Sequence, residues 1–294
     1  MFIDQLVNNI KATRAPLVIG LDPNLDLIPV DFKKNYTITP ENYFETVSQL
    51  FLDYNKAIID QIADLVPAIK PQMAYYEVLG HHGLMALKAT VEYAQSKGLL
   101  IILDGKRNDI PSTAQAYVEA YLASKHHKPY LEVDSITVTP FLGMDSLEPF
   151  YQVCRTHAKG LFICLKTSNA GSGDLQDKVT QSGKPMYEEL AALINSHAKT
   201  AVGQSGYSSV GVVVGATYPE KAAILRDQLP QSYFLVPGIG HQGGDIQKIG
   251  AFFRPDGLGA VLNASRSVMY PAPGTTIRYQ AQSLIQLIQQ NLPI

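Results

Sequence analysis

Short, continuous runs of apolar and β-branched residues recur along the whole 294-residue chain. Within these runs apolar and polar positions do not alternate, which is typical of strands that are buried on both faces of a parallel sheet. The eight runs are Pro16–Leu21, Val66–Lys70, Leu99–Asp104, Ser135–Val138, Leu161–Leu165, Val210–Val214, Tyr233–Val236 and Gly259–Leu262. The pattern therefore predicts eight buried strands.

Amphipathic stretches of helical period lie between most of these runs. They are Tyr43–Asp64, Gly83–Lys97, Thr113–Ser124, Pro185–Ala201 and Tyr218–Leu229, and Gly98 stands where a helix-ending glycine is expected. Repeated alternation of strand and helix predicts an α/β fold, a single (β/α)₈ TIM barrel over residues 1–294. An open, doubly wound parallel sheet is the alternative, because periodicity does not show whether a sheet closes.

Charged residues end several of the predicted strands. Asp22, Lys70, Asp104 and Lys166 each stand at a strand end, and Lys106 follows closely. In a closed barrel the carboxyl ends of the strands build the active site. A structural ion pair at the barrel rim accounts for any one of these residues, but the whole set favours a functional site, because lysine and aspartate are rarely buried unpaired.

The densest group of charges is the segment Asp104-Gly-Lys-Arg-Asn-Asp109. Residues two apart on a strand point the same way, so we expect Asp104 and Lys106 to face the barrel mouth. Asp109 follows where the chain turns toward its helix, and we expect it to approach Lys106; Lys70 ends the neighbouring strand. Such an alternating array keeps every member ionised, and a charged lysine held this way is a proton donor.

Two loops have the composition of an anion site. The segment Val236–Asp245 places several glycines after the seventh strand, and Asn263–Arg266 follows the eighth. Phosphate sites of barrel enzymes are commonly built from these two loops. Arg266 offers a planar fork for a phosphate. The polar, glycine-rich stretch 167–184 follows the fifth strand, where a mobile lid or a binding loop is expected.

Composition narrows the function classes further. A net charge of −2 provides no general electrostatic footprint for nucleic acid. Cys154 and Cys164 are too few for a disulfide scaffold or a four-cysteine metal site, and we expect Cys164 to be a buried, reduced thiol. The first residues lack the pattern of a signal peptide, and no apolar run approaches the roughly 20 residues of a membrane span. We expect a soluble, cytoplasmic protein.

The charged segment resembles a known family. Asp104-x-Lys106-x-x-Asp109-Ile110 is similar to the signature of the orotidine 5'-monophosphate decarboxylases, the most specific motif of that family. Similarity extends from about residue 16 to 270. The other matching segments are Gly20–Pro23, Lys70–Glu77, Pro237–Gln242 and Asn263–Arg266. The long spacer before Lys70 and the Lys166–Asn169 segment resemble the longer bacterial subfamily.

The resemblance implies decarboxylation of orotidine 5'-phosphate to UMP, the last step of UMP synthesis, with no metal and no organic cofactor. It implies that Asp104 lies against the substrate carboxylate and that Lys106 stabilises and protonates the C6 carbanion. Lys70 would hold Asp104 and a ribose hydroxyl. Asp109 would reach into the partner subunit's site in a homodimer.

The same resemblance implies a set of substrate-binding residues. Asp22 would bind ribose hydroxyls, and Ser168 or Asn169 would contact the edge of the pyrimidine. The implied phosphate-binding residues are Gln242, Gly243, Ser265 and Arg266. No role for nucleic acid or membrane is implied.

Two other functions stay open at this point. One is a different phosphosugar barrel enzyme, either an aldolase with a Schiff base on Lys166 or a metal-dependent relative. The other is a nucleotide-binding barrel without catalysis. That protein would keep the phosphate loops but would not need Lys70, Asp104, Lys106 and Asp109 together.

Overall fold

Eight parallel strands close into a barrel in the order of the sequence. The computed structural model describes residues 1–239 and 244–292. Pairing of Val18 with Asn263 joins the first strand to the last and closes the sheet. The barrel prediction is confirmed, and the open sheet is excluded. The strands are β1 (Leu17–Leu21), β2 (Ala68–Pro71), β3 (Leu100–Arg107), β4 (Ser135–Val138), β5 (Gly160–Lys166), β6 (Ser208–Val214), β7 (Ser232–Pro237) and β8 (Ala260–Ala264).

Helices precede, connect and follow the strands. They are α1 (Phe2–Thr13), α2 (Val30–Lys33), α3 (Tyr43–Ile62), α4 (Ala74–Glu77), α5 (Gly80–Ser96), α6 (Pro111–Tyr121), α7 (Glu148–Thr156), α8 (Met186–Ala198), α9 (Pro219–Gln228), α10 (Arg266–Met269) and α11 (Ile277–Gln290). Short 3₁₀ turns cover Asp145–Leu147, Ala170–Asp174, Lys199–Ala201 and Ile246–Phe252. Within the described ranges, no helix is both long and apolar enough to cross a membrane.

The five predicted helices correspond to α3, α5, α6, α8 and α9, with shifts of a few residues at their ends. Helix α6 begins at Pro111 rather than at Thr113, since a proline fits the first turn, where its missing N–H is not needed. Gly98 has a φ of 82° directly after α5, which confirms it as the residue that ends this helix.

Helix α1 closes the floor of the barrel and was not among the predicted helices. Its buried face packs against residues that point into the barrel, and the Phe2 and Phe162 rings meet edge to face at 6.2 Å. A Cβ on Gly160 would lie 2.1 Å from the Phe2 ring, so the fifth strand needs glycine here. With this end closed, the cavity opens at the carboxyl ends of the strands.

Replacement of Phe2 by alanine tests the floor. Phe2 is 1% exposed, so Phe2→Ala should lower the free energy of unfolding by about 3–5 kcal/mol through lost burial and a new cavity. Urea unfolding followed by circular dichroism gives the value. Phe44→Ala is the matched control: Phe44 is 54% exposed, and its loss should change stability by no more than about 0.5 kcal/mol. Equal effects of the two variants would contradict the assigned role of α1.

Candidate active site

A cavity of about 880 Å³ opens at the carboxyl ends of the strands. Its wall includes Asp22 after β1, Lys70 at the end of β2, Asp104 and Lys106 on β3, and Thr137 on β4. Four of the five charged residues that the sequence placed at strand ends, Asp22, Lys70, Asp104 and Lys106, therefore share one cavity. This location is the usual place for the active site of a barrel enzyme.

Asp104 is the centre of the charged group. Lys70 Nζ donates a hydrogen bond to Asp104 Oδ2 at 2.7 Å, and Lys106 Nζ donates to Oδ1 at 2.7 Å. Thr137 Oγ1 donates to the same Oδ1 at 2.8 Å. The carboxylate is 7% exposed, and its two oxygens are thus held by two cations and a hydroxyl.

The two lysines keep Asp104 ionised. Burial alone would raise the pKa of Asp104, but the charges of Lys70 and Lys106 outweigh burial and hold that pKa well below its usual range. Burial alone would likewise lower the pKa of Lys70, yet the Asp104 carboxylate and then Asp22 raise it. The buried pair is therefore an ammonium and a carboxylate, as the sequence predicted.

A bulge in β3 brings Lys106 to Asp104. The register between β3 and β4 shifts between Leu103 and Arg107, and Lys106 has a φ of 44°, which is uncommon for a residue with a side chain. Its backbone N–H donates to Thr137 Oγ1 at 3.0 Å. Asp104 and Lys106 do meet as predicted, but through this bulge rather than through simple strand alternation.

Thr137 is a site residue that the sequence reasoning missed. Its hydroxyl accepts from the strained Lys106 backbone and donates to Asp104, so it positions both charged groups. Its presence in the otherwise apolar end of the run Ser135–Val138 was the available signal, since a buried hydroxyl needs a partner.

The expectation that Asp109 approaches Lys106 of its own chain is wrong. β3 ends at Arg107, and Asp109 is absent from the cavity wall. Across the part of the chain that the structure describes, the Asp109 carboxylate accepts one hydrogen bond, from the Ile110 N–H at 2.8 Å. Since Ile110 is the N-cap of α6, the chain at Asp109 has already left β3 and is entering that helix.

Asp22 faces the cavity with unused hydrogen-bonding capacity. Among the described residues, its buried Oδ1 has no hydrogen-bond partner. A buried carboxylate oxygen of this kind calls for a donor, and ligand hydroxyl groups are suitable donors. The position agrees with the ribose-binding role expected for Asp22.

The loop after β7 forms another part of the wall through Pro237, Gly238 and Ile239. Gly238 has a φ of 99°, which favours glycine. The N–H of Gly244 donates to the Gly238 carbonyl at 3.1 Å and closes the loop. Two of the expected phosphate-binding residues, Gln242 and Gly243, lie outside the described residues.

Ser265 and Arg266, after β8, also line the cavity. A Cβ on Gly20 would lie 2.0 Å from Ser265 Oγ, so glycine at this position of β1 lets Ser265 pack close to the strand. The Arg266 side chain is exposed and, within residues 1–239 and 244–292, makes no hydrogen bond or ion pair. Its guanidinium is therefore available to an anionic ligand.

Ser168 and Asn169 line the cavity just beyond β5. Close packing holds them there: a Cβ on Gly215 would lie 2.7 Å from the Ser168 Cα. Thr167 Oγ1 donates to Asn169 Oδ1 at 2.7 Å. Both residues are thus on the wall of the cavity, where an expected pyrimidine contact needs them.

Lys166, the candidate Schiff-base residue, is absent from this wall. Its side chain is fully buried, and Nζ bonds to Ser172 Oγ at 3.0 Å and to Asp177 Oδ2 at 3.1 Å. An amine in these contacts does not reach a ligand in the cavity, which argues against the aldolase alternative. The described ranges contain no group of three or more His, Cys, Asp or Glu side chains placed to hold a metal ion.

Comparison with known proteins assigns the family. Residues 16–271 match the model of the orotidine 5'-phosphate decarboxylase / HUMPS family. This chain belongs to that family. The match includes every site residue named above and all eight strands.

Individual relatives agree with the family assignment. The chain is 42% identical over 271 residues to an orotidine 5'-phosphate decarboxylase of Rhodopirellula baltica, covering 92% of this chain and 88% of the relative. A Caldicellulosiruptor bescii protein of the same name is 38% identical, with 92% and 89% covered. The structure of OMP decarboxylase from Leishmania donovani superposes with a TM-score of 0.77 at 31% identity, covering 99% of this chain and 98% of the other.

Cys164 lines the cavity, so its reactivity tests how this wall is packed, whereas Cys154 lies on α7 and does not line the cavity. Both thiols are free and buried, as expected for Cys164. Burial raises the pKa of Cys164 to about 11 and that of Cys154 to about 12, so both should be protonated and slow to react at neutral pH. An aromatic disulfide reagent should label neither thiol in the native protein and both in guanidinium chloride.

In the variant Cys154→Ser, Cys164 is the remaining thiol, so its labelling reports on the cavity wall alone. Its labelling rate should rise as the pH approaches 11, because the thiolate fraction grows. Rapid labelling of this variant at neutral pH would show that the wall around Cys164 is open to solvent.

Proposed function

We propose that this chain is an orotidine 5'-phosphate decarboxylase that converts orotidine 5'-monophosphate to UMP and carbon dioxide, the last step of UMP synthesis. The observation that carries the proposal is Asp104, ionised and held between Lys70 and Lys106 in the cavity. Family membership and the named relatives support the same reaction. Neither simple nucleotide binding nor Schiff-base chemistry requires this array.

The substrate is placed by contacts far from the reacting carbon. Arg266, together with the loops that contain Ser265, Gln242 and Gly243, binds the 5'-phosphate. Asp22 and Lys70 bind the ribose hydroxyls, and Ser168 or Asn169 contacts the edge of the pyrimidine, all from positions on or beside the cavity wall. Binding energy from these remote groups is available to position the pyrimidine against the charged array.

The chemical step breaks the bond between C6 and the carboxylate carbon. Carbon dioxide leaves, and the electron pair of that bond stays on C6. The Lys106 ammonium stabilises this carbanion and then donates a proton from Nζ to C6, and solvent returns a proton to the amine. Because Asp104 already holds Lys106 in place, little reorganisation is needed as charge develops.

Asp104 also acts on the bound substrate. Its carboxylate lies where the substrate carboxylate must approach, and the two negative charges repel until carbon dioxide leaves. This repulsion disfavours the bound substrate relative to the transition state. The proposed steps use side chains alone and require no metal or organic cofactor.

The active enzyme is proposed to be a cytoplasmic homodimer in which Asp109 crosses to the partner's site. Within its own chain Asp109 is half-buried, does not line the cavity and is bonded only at Ile110 among the described residues. A carboxylate in that position is free to complete the charged array of a second copy, where it would contact Lys106 and the ribose.

A spectrophotometric assay tests the reaction. Orotidine 5'-phosphate mixed with EDTA-treated protein should show the absorbance change of conversion to UMP. Lys106→Ala should lower turnover by at least about a thousandfold, because both the proton donor and the stabilising charge are lost, while UMP still binds. Lys128→Ala, at a lysine side chain that is 78% exposed, is the matched control and should keep full activity.

The outcomes of this assay separate the competing functions. Spectral change only after a divalent metal is restored would favour the metal-dependent relative. UMP binding without any turnover by the unaltered enzyme would favour the non-catalytic barrel. Near-normal turnover by Lys106→Ala would refute the role assigned to that lysine.

Subunit mixing tests the shared site. Lys106→Ala and Asp109→Ala chains should each be inactive as pure dimers. After mixing and exchange, random pairing makes half of the dimers hybrid, and one of the two sites in each hybrid is intact, so activity should return to about a quarter of the wild-type value. Absence of recovery, with exchange shown by native mass spectrometry, would place Asp109 outside the partner's site.

A further inference from the structure

Lys166 is a fully buried cation that the proposed reaction does not use. A buried ammonium is costly unless it is paired and hydrogen-bonded. Lys166 meets this requirement through Ser172 Oγ at 3.0 Å and Asp177 Oδ2 at 3.1 Å, and Nζ lies 4.5 Å from the centre of the Tyr218 ring. Both polar partners belong to the segment that follows β5, so the contacts join this segment to the barrel.

Asp177 connects that segment to a second element. Its other oxygen, Oδ1, accepts from Lys221 Nζ at 2.8 Å, and Lys221 lies on α9. Hydrogen bonds from Lys221 and Lys166, together with their charges, hold the pKa of Asp177 below its usual range despite partial burial. One ionised carboxylate therefore ties the segment to β5 and to α9.

A second pair of residues, Thr167 and Gln176, also joins the two ends of this segment. The Thr167 N–H donates to Gln176 Oε1 at 2.9 Å, and Gln176 Nε2 donates to Thr167 Oγ1 at 2.9 Å. This contact lies next to the Lys166–Asp177 pair along the chain. Together the two contacts hold the ends of the stretch 168–175 together.

The two ends of this closed stretch line the cavity. Ser168, Asn169 and Leu175 line it, as does Gln176. We propose that Lys166, Asp177 and Lys221 form a latch that fixes this wall of the cavity, and that Lys166 and Asp177 are positioning residues for recognition of the pyrimidine. The statement that the ligand carries a pyrimidine rests on the proposed function, whereas the latch itself does not depend on it.

The latch predicts a selective effect on ligand binding. Its loss should displace the wall at Ser168 and Asn169 but leave Ser265 and Arg266, which lie after β8, in place. Recognition of the base should therefore weaken while recognition of a phosphorylated ribose persists. A residue that only stabilised the fold would weaken both.

Hydrogen–deuterium exchange of the ligand-free protein tests the latch. In Asp177→Asn, amide exchange within residues 167–177 should be at least about tenfold faster, because the segment opens locally. Glu132→Gln is the matched control, because it also removes a carboxylate that pairs with a lysine next to β5. Glu132 pairs with Lys159 at 3.0 Å, and Lys159 directly precedes the first residue of β5, at the end of the strand opposite to Lys166. Unchanged exchange in Asp177→Asn would overturn the latch.

Calorimetric titration with UMP and with ribose 5-phosphate tests the positioning role. Asp177→Asn should lower UMP affinity by at least about tenfold, because the wall at Ser168 and Asn169 is displaced by up to about 1 Å. The affinity for ribose 5-phosphate should change by less than about twofold. Equal losses for both ligands, or unchanged UMP affinity, would overturn this role. If the unaltered protein bound ribose 5-phosphate but not UMP, the proposed function would fail, and the exchange result would still decide the latch.

A second variant keeps the test decisive if Asp177→Asn does not fold. Asp177→Asn leaves the buried Lys166 charge unpaired, which is strongly destabilising. The double variant Lys166→Met with Asp177→Asn removes both charges, and the latch predicts the same fast exchange and the same selective loss of UMP affinity. Wild-type exchange in a folded double variant would overturn the latch.

Discussion

The buried Asp104 carboxylate between two ammonium groups is the interaction on which the rest of the site depends. Removing Lys70 would leave the buried carboxylate with only the half-exposed Lys106 as a cationic partner, at a cost of several kcal/mol. The arrangement needs neighbouring strands at matching depth, since Lys70, Asp104 and Thr137 come from β2, β3 and β4. Barrel closure and strand register thus decide whether the three groups meet.

The backbone strain at Lys106 follows from the need to bring its ammonium group to Asp104. A positive φ in a lysine is unfavourable, and the surrounding contacts hold it on both sides. Thr137 accepts from its backbone, and the following residue, Arg107, pairs with Glu77 and packs over Tyr121. These contacts offset the strain of the bulge and hold Lys106, the proposed proton donor, in place before a ligand arrives, which is the condition for electrostatic preorganisation.

Much of this arrangement could be predicted from sequence, because it depends on local pattern. Continuous apolar runs predicted the strands, and the charged residues at their ends predicted most of the charged side chains that share the cavity, although Lys166 is absent from its wall. The bulge at Lys106, the role of Thr137 and the direction of Asp109 could not be predicted in this way, because each depends on how separate elements pack. Helix α1 could have been predicted, because Phe2, Leu6 and Ile10 have helical spacing, but its role as the floor of the barrel depends on packing against residues such as Phe162.

Lys70 and Lys166 occupy similar positions in the sequence, but the folded chain gives them different surroundings. Both end an apolar strand, and both are buried beside an aspartate. Lys70 pairs with a carboxylate that itself lines the cavity, so its charge belongs to the proposed catalytic group. Lys166 pairs with Asp177, whose other partner is on α9, so its charge acts on the wall. The position of the shared carboxylate, rather than of the lysine, therefore determines whether such a pair serves chemistry or positioning.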